Sequence, residues 1–181
     1  LSHDAWCSIT IHGHIETVDD LDELVNAVVS NDLSDSYDYS PGATAEREPI
    51  LAYIAKCLVE GTYPEFSGTT RYANADEVIE ACKALGLGYK HSYEGVDGPS
   101  DVDVWYAGDE NTTSIENDAS LEWADLEKLL AGPDPIAAMT AEMERMKRAS
   151  GALQPPFTAS DAVKDHLAVV VARIRVTGEA A

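Results

Sequence analysis

No lysine or arginine occurs before Arg47, and a second base-free stretch runs from His91 to Glu127 and contains 11 acids. Like charges at this density repel one another whenever the chain compacts. A fold built from it must spread its carboxylates over solvent-facing surface and take its cohesion from apolar burial. Apolar side chains make up 45% of the 181 residues, enough for one buried core and too many for wholesale disorder. Residues 1–131 hold 27 of the 33 acids and 6 of the 12 bases, so the net charge of -21 lies entirely there. Residues 132–181 are neutral, and this change of composition marks the expected boundary. It separates an acidic α+β domain, 1–131, from a charge-neutral helical C-terminal extension, 132–181.

This balance argues against binding nucleic acid through a basic surface or docking on an anionic membrane. Three causes could produce it: a basic partner, a salt-rich cytoplasm, or plain solubilising charge. The neutral tail weighs against the second, which would spread acid over every exposed surface. No apolar run approaches the ~20 residues of a membrane span, and Leu1–Cys7 lacks the pattern of a signal peptide. Cys7, Cys57 and Cys82 are widely spaced and form no CxxC pair. Buried free thiols in a reducing, cytoplasmic setting are expected.

Periodicity assigns the elements. Trp6–Ile15 alternates as a strand, with Cys7, Ile9, Ile11 and Ile15 on one face and Ser8, Thr10, His12 and His14 on the other. Thr17 caps a helix whose buried stripe is Leu21, Leu24, Val25, Val28 and Val29. Pro49 sits in the first turn of a second helix that Gly61 ends. Phe66–Tyr72 is a further strand. Asn74–Glu77 predicts a capping box before a helix that stops at Gly86.

A meander follows, with Tyr89, His91 and Tyr93 on one face, then Val102, Val104 and Tyr106 alternating with Asp101, Asp103 and Trp105. Thr112–Ile115 is its third strand, and Trp123–Leu130 a helix. The order predicts an α+β fold with a mostly antiparallel sheet, helices packed on one face, and a C-terminal helical arm. In that arm, residues 136–149 carry Ile136, Met139, Met143 and Met146 at helical spacing. Thr158–Asp161 opens the last helix after the Pro155-Pro156 linker.

Catalytic signatures are scarce. There is no GxSxG, no P-loop and no complete dinucleotide fingerprint. His12 and His14 could share a strand face and hold a metal ion, but no third ligand lies at recognisable spacing. Two exposed histidines are the simpler expectation, so neither a metal nor a cofactor is assigned. Asp97–Asp103 has calcium-friendly side chains without the EF-hand pattern. The methionine stripe could dock a second copy of the chain through the C-terminal helices, or pack on its own domain.

Tyr37, Tyr39, Tyr89, Tyr93, Trp105 and Tyr106 lie among carboxylates, an arrangement suited to Arg- and Lys-rich surfaces. The sequence therefore points to a non-catalytic acidic protein that binds and blocks a basic surface, such as that of a nucleic-acid-binding enzyme. The expected contacts are Asp19, Asp20, Asp22 and Glu23 in the first acidic stretch. In the second they are Asp97, Asp101, Asp103, Trp105, Asp109 and Glu110. In charge, size and lack of catalytic motif the chain is similar in character to the acidic inhibitors that phages and plasmids make against restriction or CRISPR systems. No family motif carries that comparison. An immunity protein against one cationic toxin, and a metal-dependent enzyme using His12 and His14, are the alternatives.

Overall fold

A computed structural model describes residues 4–35, 45–94, 101–116 and 123–178. Its elements follow the predicted order, with strands β1 (Asp4–His12) and β2 (His14–Ile15), then helices α1 (Val18–Ser30) and α2 (Arg47–Glu60). Next come β3 (Glu65–Arg71), α3 (Asp76–Leu85), β4 (Gly88–Tyr93), β5 (Asp101–Trp105) and β6 (Thr113–Glu116). The chain continues through α4 (Trp123–Leu130), α5 (Pro135–Ala149), β7 (Thr158–Ala159) and α6 (Asp161–Gly178).

The fold is α+β. Five antiparallel strands pair in the order β3-β1-β4-β5-β6, which places β1 inside the sheet. Its alternation explains the position: Cys7, Ile9 and Ile11 are fully buried and face Gly68, Phe66, Tyr93, His91 and Tyr89 across the register. These side chains form the inner face. α1 and α3 cover it with Leu21, Leu24, Val28, Val78 and Cys82, and α2 and α6 pack beside α1.

The predicted strand from Trp6 to Ile15 is interrupted at Gly13, whose φ of +111 turns the backbone through the left-handed region. Beyond that turn, β2 leaves the sheet and pairs in parallel with β7. The two-residue β7 carries no readable period, so the sequence did not announce it. The pairing seats the C-terminal segment: Phe157, Ala159, Val163 and Leu167 join the same core as the strands. Residues 158–167 are therefore built into the body of the fold.

α1 starts as its sequence predicts. Thr17 Oγ1 accepts from the Asp20 N–H at 3.1 Å, and Asp20 accepts from the Thr17 N–H at 3.0 Å. The capping box expected at Asn74–Glu77 is replaced by a tertiary cap. Asn31, at the end of α1, accepts from the Val78 N–H at 3.1 Å, while Asn74 closes on Asp76. The helix layer is joined by a partial cover on the opposite, outer face. α5 meets β5 and β6 there, and Val104, pointing away from the Trp105 side, is fully buried.

Candidate functional site

The expected contact residues separate into three environments. On α1, Asp19 and Glu23 are exposed and one helical turn apart, and neither has a cationic partner among the described residues. Asp20 is half-buried and occupied by the cap. Asp22 pairs with Arg47, which also donates to Asn26 at 2.7 Å. Asp97 lies outside the described residues, as do Tyr37 and Tyr39.

Near the β5–β6 connection, Asp109 pairs with Arg148 of α5, while Glu110 is exposed. Arg148 also stacks over Tyr106, 4.4 Å from its ring centroid, and its carbonyl accepts from the Tyr106 hydroxyl at 2.9 Å. Trp105, expected at an interface, is core. It is only 7% exposed, lies 6.1 Å from Tyr89 ring to ring, and donates its indole N–H to the Asp109 carbonyl at 3.0 Å. The reason is register: Trp105 stands opposite Tyr89, which stands opposite Ile11, so all three share the inner face.

The same alternation turns Asp101 and Asp103 to the inner face, half-buried, opposite Tyr93 and His91. The second acidic stretch is thus split. Asp109 and Glu110 sit at the sheet end where α1 begins, and Asp101 and Asp103 approach the other end.

His12 and His14 do not form a pair. His12 is 5% exposed, packs on Tyr63 with ring centroids 4.4 Å apart, and bonds the Pro155 carbonyl. His14, past the Gly13 turn, bonds Thr158 Oγ1 at 2.8 Å and lies 3.2 Å from the Glu16 carboxylate. Among the described residues no three His, Cys, Asp or Glu side chains converge as a metal-ligand set. Burial pushes the His12 pKa down to about 4; the Pro155 bond opposes this and the Lys90 charge adds to it. The expectation of two exposed strand histidines fails at His12. The linker closes over it: Gln154, 7% exposed, lies on Gly88 and donates to the Trp105 carbonyl at 2.8 Å.

On α5, Met139 and Met146 are half-buried, whereas Met143 and Ile136 are 53% and 80% exposed. The stripe is therefore divided between the protein's own body and solvent. Cys7, Cys57 and Cys82 are free and buried. Burial pushes the Cys82 thiol up to about 12 and raises Cys7, which keeps both protonated and non-nucleophilic at neutral pH.

One polar cluster escaped the sequence reading. His91 is 6% exposed, and its ring stacks on Tyr93 at 4.9 Å. It bonds the Ala73 carbonyl. Its Nε2 and the Oδ1 of Asp103 are both buried without a hydrogen-bond partner among the described residues. Burial lowers the His91 pKa, against the opposing influence of Asp103, the Ala73 bond and Asp76. The Tyr89-x-His91-x-Tyr93 alternation placed His91 on one face. Only the pairing with β1 and β5 made that the inner one.

No protein-family model, curated protein or solved structure matches this chain.

Proposed function

We propose that this chain is a non-catalytic acidic interaction protein that binds and blocks a basic, nucleic-acid-binding surface on another protein. The observation that supports this reading best is the outward ridge of α1. Asp19 and Glu23 stand exposed at helical spacing without a cationic partner among the described residues, while Asp22 beside them is held by Arg47. A rigid, capped helix presenting fixed carboxylates can occupy sites that normally hold phosphates, with little ordering cost. The net charge of -21 would steer encounter with a cationic surface at low salt. Asp101, Asp103, Asp109 and Trp105 lose weight as contacts, because the fold already employs or encloses them.

The test is capture from a host lysate at low salt with a salt-gradient elution, followed by affinity measurement on the recovered protein. One basic nucleic-acid-binding protein is expected, with affinity falling steeply as salt rises. Asp19→Asn combined with Glu23→Gln should weaken it about tenfold, at about 0.7 kcal/mol per exposed charge. An unchanged affinity removes α1 from the interface. Scattered basic proteins that all leave together at modest salt would show that the charge is non-specific.

A further inference from the structure

α6 turns a second apolar face to solvent. On its covered side Val163 and Leu167 belong to the core and Val170 packs against it, where α6 lies along α2 and touches α1. At 3.6 residues per turn, the side directly opposite carries Ala162, Asp165, Val169, Ala172 and Val176. All of these are exposed, Val169 at 59% and Val176 at 71%. Single exposed apolar side chains are ordinary on any surface. A helix covered on one side, however, normally gives its opposite side to polar residues, and one that is apolar all round is buried all round. The run Ala168–Ala172 is apolar through more than a full turn. Valine is also disfavoured at an exposed helical position, because its branched side chain is stiff. Within the single chain Val169 and Val176 have no packing role.

The charges on this face argue for what covers it. Its N-terminal half carries Asp165, exposed and without an ion pair among the described residues. Its C-terminal half carries Arg173 and Arg175, and no acid lies between His166 and Gly178. Asp165 and Arg173 stand at equal distances in the chain on either side of Val169. A two-fold axis beside Val169 therefore sets each Asp165 against the Arg173 of an antiparallel copy, and both pairs form at once. Arg173 already makes a contact within its own chain, and the five N–H donors of a guanidinium can serve a second partner as well. A parallel copy would set like against like. A basic partner of the kind drawn to α1 would be repelled by the two arginines, and an anionic membrane by the net charge of -21. Ala162, Ala168 and Ala172 are small enough to let two helices approach closely.

We propose that the outward face of α6 is a self-association surface. A second copy of this chain docks its own α6 there antiparallel, about an axis at Val169, with Asp165 of each copy opposite Arg173 of the other. From Ala162 to Val176 the contact runs along about 20 Å of helix. That is short of a standard interface, so the dimer is weak and depends on concentration. It does not use the methionine stripe of α5, and it goes beyond the interaction reading above without depending on it.

Sedimentation velocity of the full chain, from micromolar to near-millimolar concentration, reads the association. Physiological ionic strength is used, where the like charge of the two acidic bodies is screened beyond about 8 Å. The sedimentation coefficient is expected to rise with concentration towards that of a dimer. Val169→Lys should weaken the association about tenfold or more by placing a charge at its centre, whereas Met143→Lys should leave it unchanged. Asp165→Lys and Arg173→Glu, each alone, make both pairs like-charged and should weaken it about tenfold. Mixed in equal amounts, these two variants should associate with each other to within about threefold of the wild type, because every pair across the mixed interface is again opposite in charge. Misfolding cannot be repaired by mixing, and amide spectra check each fold. A coefficient that stays at the monomer value over the whole range overturns the proposal. So does a dimer that Val169→Lys leaves intact or that Met143→Lys abolishes. So does a mixture that associates no better than either variant alone.

Discussion

Burial holds His12 neutral well below the range in which an exposed imidazole titrates. Its folded pKa of about 4 lies below the unfolded value of 6.5, so the unfolded chain takes up the proton first. The stability this residue contributes is complete above pH 6.5 and is lost as the pH falls towards 4. The loss amounts to at most about 3 kcal/mol. Urea unfolding at pH 7.0 and 4.5 measures it: His12→Asn should show a smaller drop in midpoint than the wild type, and an equal drop would refute the assignment. Trp105 makes the matching point for packing. Buried between Tyr89 and the Asp109 carbonyl, it should cost about 3–5 kcal/mol when changed to alanine. A surface tryptophan would cost far less, so a loss under 1 kcal/mol would return it to the interface. Both residues were named in the sequence as candidates for function. Each proves to be enclosed by a segment distant in the chain, Pro155 for His12 and the β1–β4 pair for Trp105, and no local pattern carries that information.

Elements were legible wherever the signal is local. The Thr17 cap, the left-handed stops at Gly61 and Gly86, and the buried apolar row Cys7, Ile9 and Ile11 of β1 appear as the sequence predicts, although Ser8 and His12 of the opposite row are buried too. They are fixed by bonds and sterics within a few residues. Expectation and structure part where an element end is satisfied from elsewhere. α3 is the clearest case: its Val78 N–H is met by Asn31, 47 residues earlier in the chain. Asn31→Ala should therefore destabilise the protein by about 1–2 kcal/mol. Because the native fold is kept, the urea midpoint should fall with the m-value unchanged. Asn74→Ala, the residue the sequence favoured as a cap, should cost less, and the reverse ranking would restore the local capping box. β5 shows the same limit in a strand. Its alternation was visible, but which of its two rows faces inward depended on its register against β4.

At the scale of the whole molecule, an acid excess confined to residues 1–131 must be carried by a single core to which residues 158–167 also contribute. Self-repulsion should then be a measurable part of the stability. The thermal midpoint is expected to rise between 10 mM and 0.5 M KCl, and by the same amount in NaCl, because screening does not distinguish the cations. A flat response would mean that the carboxylates lie too far apart to repel. The sequence by itself determined the α+β class, the order of the main elements, the Thr17 cap of α1 and the concentration of charge. Those properties are set by residue type and by spacings of two to four. Only the tertiary structure decided that β2 and β7 tie the C-terminal segment into the core. It alone turned Asp101, Asp103 and Trp105 inward, separated His12 from His14, and set His91 opposite Asp103. The first depends on a pairing 144 residues apart in the chain, the separation of His12 from His14 on the turn at Gly13, and the others on register between adjacent strands, where a shift of one residue exchanges the buried face for the exposed one.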